Sequence, residues 1–233
     1  MATIGFERDG ACGVIRMDDG KANAMDAAFF AGLDRAMDEA EASGCRGLVF
    51  AGRPGFFSGG LNVKTLPTLD PGQLKVLHRC FAHTMARAAL LPVPTAAACA
   101  GHAVAGGLIL ALACDLRLVE EGPFRLQLNE VLIGIALPSW VLAIAQPVVP
   151  PQRQTEVLLH GRAYAPKEAV SAGFFDELVT PGTDLVARAK ERLAPLAALD
   201  PQAYALSKRR MRGPAIERAL ALLPQERLPG EAE

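Results

Sequence analysis

Residues 100–119 read AGHAVAGGLILALACDLRLV. Small residues at 100–105 predict a turn, the glycine pair at 106–107 opens an apolar run that predicts a helix over about 106–113, and 115–119 (DLRLV) reads as a strand. Upstream, Pro92 and Pro94 end a mostly helical stretch at 68–91, and 95–99 (TAAAC) begins a strand of small residues. A strand, a tight turn, a buried helix and a further strand make the repeating unit of an α/β fold with wound sheets. The same region carries no ionisable side chain between Arg87 and Asp115 except His102 and two thiols, and it is long enough to span a bilayer. Pro92, Pro94, Gly101, Gly106 and Gly107 break it into pieces, so the reading is a buried core and no membrane.

The pattern repeats on the N-terminal side. Residues 12–17 (CGVIRM) predict a strand, 20–24 (GKANA) a loop of small residues, and Asp26 the N-cap of a helix over about 27–42. That helix carries an apolar stripe of Phe29, Leu33, Ala36, Met37 and Ala40, and Gly44 stops it. Residues 46–51 (RGLVFA) read as a buried strand, followed by a turn-rich stretch at 52–62 (GRPGFFSGGLN). Beyond residue 137 the character changes. Nine prolines from Pro138 to Pro214 punctuate short helical segments, which predicts a helical C-terminal region packed on the core or on another subunit. The expected division is 1–180 for the core with the site and 181–233 for the helical region, its boundary falling between 150 and 185.

Composition narrows the function classes. The 233 residues are 51% apolar and 21% charged, ordinary for a globular chain. Twenty-four basic residues stand against 25 acidic ones with no single-sign block, which argues against a nucleic-acid partner but leaves room for a small basic site toward a phosphorylated ligand. Five scattered cysteines form no C-x-x-C pair, and the N-terminus MATIGFERDG has no apolar run; a reducing cytoplasm and no zinc cluster are the expectation.

Two segments share one design: a strand, then a turn with paired small residues. They are Phe57–Asn62 (FSGGLN) and Ala100–Leu108 (AGHAVAGGL). Glycine lets another group approach the backbone closely, and the first amides of a helix lack intrahelical partners. Two such amides converging on one carbonyl oxygen would form an oxyanion hole. Either segment alone is equally a tight turn in a packed core. Neither is a phosphate loop or a dinucleotide fingerprint.

The phrase FFSGGLNVK at 56–64, followed some 40 residues on by AGHAVAGGLILALACDLRLV and then by LNEVLIGIALPSW at 128–140, resembles the crotonase, or enoyl-CoA hydratase/isomerase, superfamily. The third phrase looks closest to the enoyl-CoA isomerase branch. The resemblance covers roughly residues 5–220. It implies a spiral of ββα units with a helical C-terminal region, a coenzyme A thioester as substrate, no cofactor or metal, and a homotrimer or hexamer. By position in the motifs, it implies that the backbone N–H groups of Leu61 and Gly106 bind the thioester oxygen. Lys21 would meet a phosphate, Ala24 would line the adenine pocket, and Gly59, Gly60 and Val63 would flank the pantetheine arm, with Lys64 near.

The departure lies in the acid–base pair. Family hydratases use two glutamates, and here the first of those positions is Ile109 while the second is Glu130. Water addition needs a group that activates water and a group that delivers a proton. A double-bond shift needs one carboxylate that removes a proton from one carbon and returns it to another. The single glutamate therefore favours isomerisation. A hydratase or thioester hydrolase working with one glutamate, and a non-catalytic acyl-CoA binder, stay open. Glu130 stands among Leu126, Leu128, Val131, Leu132 and Ile133, so a dry pocket would raise its pKa. Trp140 reads as an acyl-pocket wall or as core. Ser58 lies outside a G-x-S-x-G elbow and reads as a loop serine, and His102 as a structural histidine. Longer family members carry further helical residues that cover the ligand, which leaves the enclosure of coenzyme A open.

Overall fold

The computed structural model describes residues 3–226. The last seven residues of the expected C-terminal region lie outside them. Nine strands and seven α-helices are described. In chain order they are β1 (Thr3–Asp9), β2 (Cys12–Asp18), α1 (Ala27–Ser43), β3 (Gly47–Ala51), β4 (Gly55–Ser58), α2 (Pro71–Leu90), β5 (Thr95–Cys99), β6 (Gly101–Val104), α3 (Gly106–Ala113), β7 (Leu116–Glu120), β8 (Leu126–Gln127), α4 (Ser139–Ala145), α5 (Pro166–Ala172), β9 (Glu177–Val179), α6 (Leu185–Ala197) and α7 (Pro201–Leu222). A six-stranded sheet runs β1-β2-β3-β5-β7-β9, antiparallel at β1/β2 and parallel elsewhere, and a three-stranded parallel sheet runs β4-β6-β8. After β1-β2-α1, whose strands both join the large sheet, two repeats send the first strand to the large sheet and the second to the small one before a helix: β3-β4-α2, then β5-β6-α3. This is the expected ββα spiral.

The helix signals act locally. Asp26 accepts a hydrogen bond from Phe29 N (2.9 Å), and Gly44 ends α1 at φ +67°. Asp70 and Gln73 close a reciprocal cap on α2, with Pro71 at its first position. The central strands of the large sheet are buried on both faces because they alternate between two cores. Ile15, Leu48, Phe50 and Ala97 face the main core, while Val14, Val49, Ala96 and Leu118 face α6 through Leu185, Ala189 and Leu193.

Two expectations are corrected. Residues 100–105 and 52–62, expected as turns, contain β6 and β4. Both are four residues long and open on a glycine, and they become strands by pairing with each other across more than 40 residues of chain (Gly55 with Gly101, Phe56 with His102), which no local pattern reveals. The stretch once long enough for a bilayer divides into the end of α2, then β5, β6 and α3, and no described helix is long and apolar enough to cross a membrane.

A buried ion cluster ties α7 to this frame. Asp115 accepts from Thr95 N (2.8 Å) and Thr95 Oγ1 (3.0 Å), and pairs with Lys208 Nζ (2.7 Å) and Arg212 Nη2 (3.1 Å). Arg212 Nη1 also donates to the carbonyls of Ala89 and Ala113, the C-terminal turns of α2 and α3. Burial opposes the charge on Asp115, but Lys208 and Arg212 overcome it and hold the carboxyl below its ordinary value. Asp115→Ala would leave two buried cations without a counter-charge. Urea unfolding should show a loss of about 3–5 kcal/mol.

Candidate active site

The two glycine turns follow the C-terminal ends of β4 and β6, and parallel pairing of those strands sets the turns side by side. The contact is tight. Gly60 adopts φ +81°, and a Cβ there would lie 2.8 Å from Ala105 Cβ and 2.9 Å from both Gly106 N and Val104 O. On the other turn, a Cβ on Gly107 would lie 2.1 Å from Ser58 O. Only glycine lets these backbones touch. Ala105, which caps α3, takes φ +49°, a conformation alanine adopts only under constraint.

That contact orients two amides. Met25 N donates to Gly60 O and Asn62 N donates to Met25 O, both at 2.8 Å, forming a parallel bridge between Met25 and Leu61. In a trans peptide the C=O and the following N–H point in opposite directions, so holding Gly60 O on Met25 turns the Leu61 N–H away from it. Gly106 is the first residue of α3, and its N–H has no carbonyl one turn earlier to accept it. Leu61 and Gly106 both line a cavity of about 370 Å³.

Glu130 closes another wall. It follows β8 and opens a short 3-10 turn at Val131–Ile133 that Gly134 ends at φ +78°. Its backbone carbonyl accepts from Ile133 N and Ile135 N. Its carboxylate Oε2 is buried without a hydrogen-bond partner among the described residues. Burial raises the carboxyl to about 7, against a smaller lowering by the backbone N–H groups of Asn129 and of Glu130 itself. Leu74, Leu77, Phe81, Ile109, Ile135 and Val141 supply apolar wall, and Glu130 is the one carboxylate among the lining residues. Trp140 is fully buried with Phe81 edge-on at 4.8 Å between ring centroids.

The structure thus gathers Gly59, Leu61, Val63, Gly106, Ile109, Glu130 and Trp140 around one cavity; Gly60 lies behind the lining, and Lys21 and Ala24 lie off it. Lys21 is exposed in the loop that Asp19 holds, its N–H donating to Asp19 Oδ1 and its carbonyl accepting from Arg53 Nη1. This loop is stitched to the first glycine turn, because Gly59 N donates to Ala22 O (2.8 Å). Two polar lining residues were not singled out in the sequence. His78 on α2 is pushed below its ordinary pKa by burial and gave no local signal. Asn129, whose buried Oδ1 has no hydrogen-bond partner among the described residues, was legible as the neighbour of Glu130. Among the described residues no group of three or more His, Cys, Asp or Glu could hold a metal ion. Two fixed amides and one desolvated carboxylate on a mostly apolar cavity can remove a proton beside a carbonyl and stabilise the resulting oxyanion.

Residues 7–227 match the family described as enoyl-CoA hydratase/isomerase. A solved structure of an enoyl-CoA isomerase from Mycobacterium tuberculosis superposes with a TM-score of 0.88 at 30% identity, covering 96% of this chain and 98% of that one. An enoyl-CoA hydratase from Mycobacterium marinum gives 0.87 at 30% identity over 96% and 98%. In sequence, enoyl-CoA delta isomerase 3 of Arabidopsis thaliana is 31% identical over 146 residues, 60% of this chain and 61% of that protein, so the match spans about three-fifths of the relative's length.

Two outcomes follow from this geometry. Gly60→Ala must push the turns apart and force alanine to a positive φ, so unfolding should show a loss of about 1–3 kcal/mol. A carboxyl whose folded value lies above its unfolded one stabilises fully at acid pH and loses that contribution as pH rises toward 7. Glu130→Gln should therefore match the wild type near pH 4 and exceed its unfolding free energy at pH 8, by up to about 3 kcal/mol.

Proposed function

The chain belongs to the enoyl-CoA hydratase/isomerase family, and from that premise we propose that it is an enoyl-CoA isomerase that moves a carbon–carbon double bond between the β,γ and α,β positions of an acyl-CoA. The observation that carries this reading is a single desolvated carboxylate, Glu130, on a cavity where Ile109 stands in place of a second one.

In this mechanism the thioester oxygen sits on the N–H groups of Leu61 and Gly106. Ionised Glu130 removes an α-proton from the β,γ-unsaturated substrate, the negative charge moves onto the thioester oxygen, and the two amides meet it with no reorganisation. The same carboxyl then returns the proton to the γ-carbon, leaving the conjugated product. A carboxyl poised near neutrality serves both steps, since it is a competent base when ionised and a competent acid when protonated. Ile109 keeps water from being activated opposite Glu130 and so turns the site from hydration. Trp140, Phe81 and the other apolar walls take the acyl chain, Gly59 and Val63 flank the pantetheine arm with Gly60 behind them, and Lys21 and Ala24 meet the nucleotide end. The chain works in the cytoplasm as a trimer or a dimer of trimers. The exposed apolar side chains Val131, Leu132, Ile133 and Leu159 support that assembly.

The test is a pair of absorbance assays. A 3-enoyl-CoA should gain conjugated absorbance, while crotonyl-CoA should lose its own much more slowly; faster hydration of crotonyl-CoA overturns the isomerase reading. Glu130→Gln should lower kcat by about 10²–10⁴-fold with the fold intact. For the wild type, kcat/KM should rise with pH up to about 7 and then level, because the base must be ionised in the free enzyme.

A further inference from the structure

The proposed chemistry needs the Gly60–Leu61 peptide held at one tilt, and a glycine pair supplies no stiffness of its own. Two side chains outside the cavity supply it. Ser58 is fully buried; its hydroxyl accepts a hydrogen bond from Gly60 N (3.1 Å) and donates to Asn23 O (2.7 Å). Asn23 is 1% exposed at φ +49°, a region asparagine tolerates better than most residues. Its Nδ2 donates to Met17 O (2.8 Å) on β2 and to Phe57 O (3.1 Å) on β4, and its Oδ1 accepts from Asp19 N (2.9 Å). Two residues beyond Asn23, Met25 N takes Gly60 O. Gly60 is therefore gripped at both ends: its N–H by Ser58, and its C=O by the segment that Asn23 fixes to the large and small sheets.

We infer that Asn23 and Ser58 are positioning residues that set the orientation of the Gly60–Leu61 peptide, and so how strongly the Leu61 N–H polarises a thioester carbonyl. Neither side chain lines the cavity, so they act through the backbone and not on the ligand. A serine buried for stability alone would be served by any neighbouring acceptor and donor. This one is bonded to the residue whose carbonyl is paired with the Leu61 amide in one rigid plane. The inference rests on the proposed role of that amide, and its test separates the two.

The probe is butyryl-CoA, a saturated thioester that cannot isomerise, labelled with ¹³C at the carbonyl. Difference infrared spectra of the bound form are compared for the wild type, Ser58→Ala and Asn23→Gly. Glycine accepts the positive φ at 23, so that variant carries the test if Ser58→Ala does not fold. The wild type should show the carbonyl stretch moved to lower frequency. Each folded variant should bind butyryl-CoA with no comparable change in Kd yet lose most of that shift, and with a 3-enoyl-CoA its kcat should fall about 10–10³-fold while KM holds. A full wild-type shift in a folded variant overturns the clamp alone. A wild type that binds butyryl-CoA without any shift overturns the clamp together with the assignment of the Leu61 and Gly106 amides.

Discussion

The structure turns on one close approach, the backbone of Gly60 against the first amide of α3. A single added methyl at residue 60 would stand within 2.9 Å of three atoms of the opposite turn. That distance is possible because β4 and β6 run parallel and end close together, which places Gly60 and Gly106, 46 residues apart in sequence, on one wall. A parallel pair cannot be joined by a short hairpin. The helix α2 and the strand β5 that lie between them are thus part of how the site is made.

The ends of α3 are treated differently. Gly106, its first residue, lines the cavity, and no side chain among the described residues caps that end, while its C-terminal carbonyl at Ala113 is met by Arg212. A cation at the C-terminal end complements the helix dipole, and in the proposed mechanism the enolate oxygen would complement the positive N-terminal end. The same division holds for charge across the molecule. Asp115, Lys208 and Arg212 bury their charges as a satisfied group, whereas Glu130 buries a carboxylate oxygen with no partner among the described residues. An unsatisfied buried carboxylate costs stability, and under the proposed mechanism that cost keeps a proton-transfer group on the cavity.

Much of the fold was legible in residue patterns. Asp26, Gly44 and the proline pair at 92 and 94 bounded helices and strands close to where they occur, because caps and prolines act over a few residues. The strands β4, β6 and β8 were not legible. They are short, glycine-bearing or only two residues long, and their hydrogen bonds come from distant chain. Ser58 read as a loop serine for the same reason: nothing near it in sequence announces that its hydroxyl would link Gly60 to Asn23.

By itself the sequence determined the chemical inventory: paired glycines at two turns, a glutamate at 130, an isoleucine at 109, and motif order enough to identify a family. Those are matters of residue type and spacing. Tertiary structure alone decided that the inventory shares one cavity, that burial lifts Glu130 to about 7, and that His78 and Asn129 join it. Proximity and desolvation depend on which segments pack together, and packing joins residues that the chain keeps far apart.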